Sequence, residues 1–87
     1  VLATLRKHYA VRTLVCEGGP TLLRALIELG ALDVLYLTIA PVIIGGKDAP
    51  TLSGANPDFL AHIAHFRLTS MRTVDGECYL RYVAARP

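Results

Sequence analysis

The segment Glu17-Gly18-Gly19-Pro20 constrains the fold of this chain more than any other, because it separates two apolar runs of different periodicity. Residues 11–16 have the sequence V-R-T-L-V-C, whose apolar end is typical of a strand covered on both faces. Residues 21–29 instead carry a wide apolar stripe at helical spacing, and Gly30 is a suitable helix terminator. The pattern therefore predicts a strand, a tight turn and a helix.

A second apolar run, residues 34–44, follows the helix, and Pro41 within it marks a bulge or the end of regular pairing. The order strand–helix–strand predicts a βαβ unit with two parallel strands and a right-handed crossover. Residues 65–74 and 77–84 are predicted strands, and the Asp75-Gly76 pair between them indicates a hairpin. The pattern also predicts an amphipathic helix at the start of the chain and a polar loop over residues 45–59.

Composition limits the classes of function. Hydrophobic residues make up 53% of the 87 residues and charged residues 18%, so we expect an apolar surface that meets the rest of a larger domain or a second subunit. The net charge is +2 and the basic residues are scattered, which argues against a nucleic-acid or membrane partner. Cys16 and Cys78 lack metal-ligand spacing, so we predict no metal site and two buried free thiols in a cytoplasmic protein.

The predicted turn is suited to binding a phosphate group. The first amide N–H groups of a helix have no partner within the helix, and the helix dipole adds partial positive charge there. Gly18 and Gly19 let an anion approach the backbone, and Pro20 suits the first helical position but has no N–H to donate. Thr21 and Leu22 are therefore the expected backbone donors, and the Thr21 hydroxyl can add another hydrogen bond.

Each of these features also has a purely structural interpretation. Two glycines after a strand are common in α/β proteins that bind nothing there, although the strand–turn–helix context favours a ligand. Glu17 would repel a phosphate, so it either points away to a backbone group or ribose hydroxyl, or it holds a polar substrate or directs a proton. Lys47 and Asp48 in the long loop are expected to be solvated.

The run L-V-C-E-G-G-P-T-L-L-R-A-L-I-E-L-G-A-L-D-V-L-Y-L-T-I-A-P-V-I-I-G-G resembles the reductase domain of riboflavin biosynthesis. This is the C-terminal domain of the bifunctional deaminase/reductase, a relative of dihydrofolate reductase. The matching pieces are residues 17–22, Gly30 to Asp33, and Ala40-Pro41 through Gly45-Gly46. Gly76 and Tyr82 are also similar to the end of the family's sequence.

The resemblance implies the C-terminal half of a three-layer α/β/α dihydrofolate-reductase-like fold, made of a βαβ unit and a terminal hairpin. It implies an NADPH-dependent reductase that converts the ribosyl group of 5-amino-6-(5-phosphoribosylamino)uracil to ribityl. It assigns the cofactor-binding positions to the turn and helix start: Gly18, Gly19, Pro20, Thr21 and Leu22. It places Glu17 at the substrate, and it implies a cis peptide bond between Gly18 and Gly19.

The family domain is much longer than this chain, so we expect residues 1–87 to be a partial reductase domain without its N-terminal portion. Such a part should be inactive alone, and the residues that recognise the 2′-phosphate of NADPH have no match here. A homodimer acting on a small phosphorylated pyrimidine is expected. Two alternatives remain open: a dihydrofolate-reductase-like enzyme with another substrate, and a non-catalytic nucleotide-binding or assembly module.

Overall fold

The structure is a computed structural model that describes residues 1–86. The elements in chain order are α1 (Leu2–Tyr9), α2 (Pro20–Glu28), β1 (Val34–Ile39), β2 (Phe66–Val74) and β3 (Glu77–Ala84). The α/β class and both predicted helices are confirmed. No helix among these residues has the length and apolar character needed to cross a membrane.

The three strands form one sheet in the order β1-β3-β2, and both pairs are antiparallel. The β2–β3 hairpin turns at Asp75 and Gly76, whose φ angles of 51° and 81° are both positive, as in a type I′ turn. The predicted hairpin is therefore confirmed. Because its twist matches that of the flanking strands, this turn sets the pairing of β2 with β3 locally.

The centre of the sheet lies on β3. Leu80 is 8% exposed and is the one hydrophobic residue within residues 1–86 that is buried. Its cross-strand neighbours are Leu37 on β1 and Met71 on β2. Tyr82 lies two residues after Leu80 on the same face of the sheet. Its ring packs edge to face against the ring of Phe66, with 6.5 Å between the ring centres.

The opposite face of the sheet carries cation–π pairs rather than an apolar cluster. The Arg81 guanidinium lies 5.9 Å from the centre of the Tyr36 ring, and that of Arg72 lies 5.5 Å from the centre of the Tyr79 ring. Tyr36 is 74% exposed, so it does not belong to the core of the described residues.

The predicted βαβ unit is wrong for the described residues. Within residues 1–86, residues 11–16 form no strand, and β1 pairs with β3 alone, in the antiparallel sense. A strand exists only where a neighbouring backbone supplies hydrogen bonds. An apolar run indicates that a segment is buried, but it does not identify the strand with which the segment pairs. Leu14 and Val15 are accordingly exposed. Cys16 is exposed as well, which corrects its prediction as a buried thiol, and Cys78 is half-buried.

The second predicted strand is shorter than expected. It ends at Ile39, two residues before Pro41, whose missing N–H cannot continue a ladder. Ile43 and Ile44, predicted as its end, are almost fully exposed.

Two devices fix the C-terminal end of α2. Gly30 has a φ of 66°, and its amide donates to Ile27 O while that of Ala31 donates to Leu26 O, which makes a Schellman motif. The Arg86 guanidinium, just beyond β3, donates to the carbonyls of Gly30 and Leu32 at 2.9 Å each. It also donates to Asp33 Oδ1 at 2.6 Å. This end of the helix is therefore tied to the end of the sheet.

Candidate functional site: the start of helix α2

The predicted turn is present at the N-terminus of α2. Gly19 is the residue before the helix, with an extended backbone, and Pro20 occupies the first helical position. The first hydrogen bond of the helix runs from the Leu23 amide to Gly19 O at 3.0 Å. The Gly18–Gly19 peptide bond is cis, as the resemblance implies, and Gly18 has a φ of 115°.

The backbone N–H groups of Thr21 and Leu22 lie in the first turn of α2. Neither amide has a hydrogen-bond acceptor within residues 1–86, and no side chain there caps the helix. Unpaired amides at a helix start carry partial positive charge and favour an anion. Among the residues predicted as donors, these two therefore have the free capacity that the prediction requires.

The space beside the turn is open. A Cβ atom added to Gly18 or to Gly19 would meet none of the described atoms within 4 Å. Residues 17–21 are exposed, and Leu22 is 49% exposed. A diphosphate group could thus approach the backbone and the two amides without displacing a side chain, so the residues present fit a nucleotide phosphate.

Gly54 is a part of this site that the sequence did not reveal. It is buried, with a φ of 93°, and a Cβ built on it would lie 3.7 Å from both the amide nitrogen and the hydroxyl oxygen of Thr21. Its segment is a closed turn, because Thr51 donates to Gly54 O through its amide at 3.1 Å and its hydroxyl at 2.9 Å. The loop therefore returns to the start of α2 from more than thirty residues away.

Glu17 directly precedes the turn in the sequence. Its side chain is exposed and takes part in no hydrogen bond or ion pair with residues 1–86. Lys47 and Asp48 are exposed, in line with their predicted solvation. Within the described part of the chain, no group of three His, Cys, Asp or Glu residues could hold a metal ion.

Sequence comparison identifies relatives of the chain. The family described as the RibD C-terminal domain matches residues 1–80. A 2,5-diamino-6-ribosylamino-4(3H)-pyrimidinone 5′-phosphate reductase from Methanothermobacter thermautotrophicus is 33% identical over 73 residues, which is 83% of this chain and 34% of that protein. A reductase of the same name from Archaeoglobus fulgidus is 43% identical over 42 residues, or 48% of this chain and 19% of that protein. The chain thus spans about a third or less of these relatives' length.

Solved structures show the same fold. A pyrimidine reductase-like protein from Corynebacterium diphtheriae superimposes with a TM-score of 0.84 at 28% identity, covering 99% of this chain and 34% of that one. RibD from Acinetobacter baumannii, form 2, superimposes with a TM-score of 0.79 at 27% identity, covering 97% of this chain and 23% of that one. The arrangement of helices and sheet described above therefore recurs in longer proteins.

Proposed function

Because the chain belongs to the RibD C-terminal domain family, we propose that it forms part of an NADPH-dependent reductase of riboflavin biosynthesis. The substrate is a phosphorylated pyrimidine whose ribosyl group becomes ribityl. It is either 5-amino-6-(5-phosphoribosylamino)uracil or the 2,5-diamino pyrimidinone in the names of two relatives. In this reaction C1′ gains a hydride, its bond to the ring oxygen breaks, and that oxygen gains a proton.

One observation supports the cofactor assignment: at the start of α2, two amides without an acceptor among residues 1–86 lie beside two glycines in open space. Thr21 and Leu22 donate their N–H groups to phosphate oxygens, and the Thr21 hydroxyl adds a third donor. Gly18 and Gly19 allow close approach, and Pro20 fixes the first helical turn from which the amides project. When bound, NADPH supplies the hydride, and the protein orients it.

Glu17 is the proposed substrate contact. It directly precedes the phosphate-binding turn and has no partner within residues 1–86 that would occupy its carboxylate. A carboxylate accepts hydrogen bonds from sugar hydroxyls or pyrimidine amino groups. In that role it holds the ribosyl group against the cofactor, which lowers the entropic barrier to hydride transfer.

The reaction is tested on the full-length protein by following NADPH absorbance with each of the two pyrimidine phosphates. We expect oxidation of NADPH with one of them and formation of the ribityl product by mass spectrometry. Calorimetric binding of NADPH without turnover of either compound would favour a dihydrofolate-reductase-like enzyme for another substrate. Absence of NADPH binding to folded protein would contradict the proposal.

The role of Glu17 is tested by Glu17→Gln, with Asp48→Asn as the control because Asp48 is an exposed loop carboxylate. We expect Glu17→Gln to lower kcat/KM for the pyrimidine about tenfold or more, the effect of losing a hydrogen bond to a charged group. NADPH affinity should stay unchanged. Equal kcat/KM for the pyrimidine in both variants would remove the proposed substrate contact from Glu17.

We also propose a cytoplasmic homodimer. The free thiols Cys16 and Cys78 suit a reducing compartment. Large apolar side chains such as Ile43 and Phe59, at 99% and 98% exposure, call for a covering surface, which the rest of the reductase or a second subunit would supply. Light scattering on the full-length protein should give twice the monomer mass, and a monomer at micromolar concentration would rule out the dimer.

A further inference from the structure

The Arg24 side chain ties the loop after β1 to helix α2. Its Nη1 donates to the carbonyl of Asp58 at 2.9 Å and its Nη2 to that of Phe59 at 3.3 Å. Its Nε donates to Glu28 Oε1, one helical turn away, at 2.6 Å. All three nitrogens of the guanidinium are therefore engaged, two of them by a segment more than thirty residues distant.

The Arg24 side chain is largely buried, and its planar shape suits the two loop carbonyls that it binds. The Arg24 side chain is 12% exposed, whereas that of Glu28 is 51% exposed. A planar guanidinium presents its donors in a fixed fork, so it can bind two successive carbonyls at once, which a lysine ammonium cannot do in the same way. Loss of the fork would leave two backbone carbonyls of the loop without these donors.

The loop contacts α2 at two points, and it runs in the same direction as the helix between them. Gly54 lies against Thr21, and Asp58 lies against Arg24, three residues further along the helix, on the same face. The chain between them is stiffened where the Asp58 amide donates to Asn56 Oδ1 at 2.8 Å. Residues 54–59 thus form a strap along the helix, held by Arg24 at one end and placed beside the Thr21 amide at the other.

We propose that Arg24 is a positioning residue for the cofactor-phosphate site. By holding the carbonyls of Asp58 and Phe59, it keeps Gly54 close to the Thr21 amide and hydroxyl and so preserves the shape of the phosphate-binding turn. This role rests on the proposed function, because it assigns Arg24 to the same NADPH site. It concerns binding of the cofactor, since the Arg24 guanidinium is engaged by Glu28, Asp58 and Phe59.

The test measures the Kd of NADPH by calorimetry on the full-length protein carrying Arg24→Ala. We expect the Kd to rise about tenfold, the effect of weakening one hydrogen bond to a charged group. The KM for the pyrimidine and kcat at saturating NADPH should stay within about twofold of wild type, because the proposed role of Arg24 concerns the cofactor-phosphate site alone. Arg24→Lys, which keeps the charge but not the fork, should give an intermediate Kd and serves if Arg24→Ala does not fold.

Leu80→Ala is the matched control, since it destabilises the sheet without touching the strap. At a temperature where both variants are folded, Leu80→Ala should leave the Kd of NADPH unchanged despite its lower melting temperature. An unchanged Kd in both Arg24 variants, or an equal rise in Leu80→Ala, would overturn the positioning role. These outcomes require that wild type binds NADPH; if it does not, the proposed function itself fails.

Discussion

The three-stranded sheet and the start of helix α2 are held in place by different kinds of contact. In the sheet, β3 is paired along its length on both sides, and its central Leu80 is buried between neighbours from both strands. At the start of α2, the Thr21 amide has no acceptor among residues 1–86, and the surrounding chain is held by the approach of Gly54 and by Arg24. The comparison teaches that a regular scaffold satisfies its own polar groups, whereas a binding site keeps some of them free for a ligand.

The largest expected effect falls on the sheet. Leu80→Ala should lower the free energy of unfolding by about 2–3 kcal/mol, because it removes the buried side chain at the centre of β3. Urea unfolding of the full-length protein measures it. Met71→Ala, at the neighbouring position on β2 but 63% exposed, should cost clearly less. An equal loss would mean that another surface covers β2 and that the sheet is not self-contained.

The next effect tests the turn. Gly18→Ala should cost about 2 kcal/mol, because a φ of 115° is strained for a residue with a Cβ. Gly19→Ala should cost less, since its φ of −93° is open to alanine, yet its new methyl enters the space proposed for phosphate. Denaturation and NADPH calorimetry on the full-length protein separate the two effects. If the Gly19→Ala variant bound NADPH with wild-type affinity, the phosphate would have to bind away from this turn.

A smaller effect is expected at the hairpin. Gly76→Ala should lower the free energy of unfolding by about 1 kcal/mol, because Gly76 has a φ of 81° in the turn. NADPH affinity should not change, since the hairpin lies outside the phosphate turn. Asp75→Asn is the control, because asparagine also tolerates the positive φ of 51°. Weaker NADPH binding in Gly76→Ala would show that sheet and site are coupled.

The smallest effect is a titration. The hydrogen bond from the Tyr79 hydroxyl to the Glu77 carboxylate raises the pKa of Tyr79 above its ordinary value of 10.0. The neutral phenol is favoured in the folded state, so its contribution to stability is present below pH 10 and is lost as the pH rises through the raised pKa. In a pH titration followed by phenolate absorbance, Tyr79 should ionise above pH 10, and Glu77→Gln should lower its pKa.

Local patterns in the sequence predicted what local contacts determine. The apolar stripe and Pro20 predicted α2, and Asp75-Gly76 predicted the hairpin, because each depends on residues close in the chain. The strand expected over residues 11–16 was wrong because its pattern specifies burial, whereas a strand needs a partner. The approach of Gly54 to Thr21 could not be predicted, since it depends on how a long loop folds back and on a single arginine.

Arg86 gives helix α2 a fixed pivot. It binds the turn that follows the helix, so any tilt of α2 is smallest at that end and largest at Thr21. A nine-residue helix is about 14 Å long, so a tilt of about 5° moves its first turn by about 1 Å. That displacement is enough to break a hydrogen bond. A change that displaces Arg86 would therefore be transmitted through the helix and would shift the Thr21 amide at its opposite end.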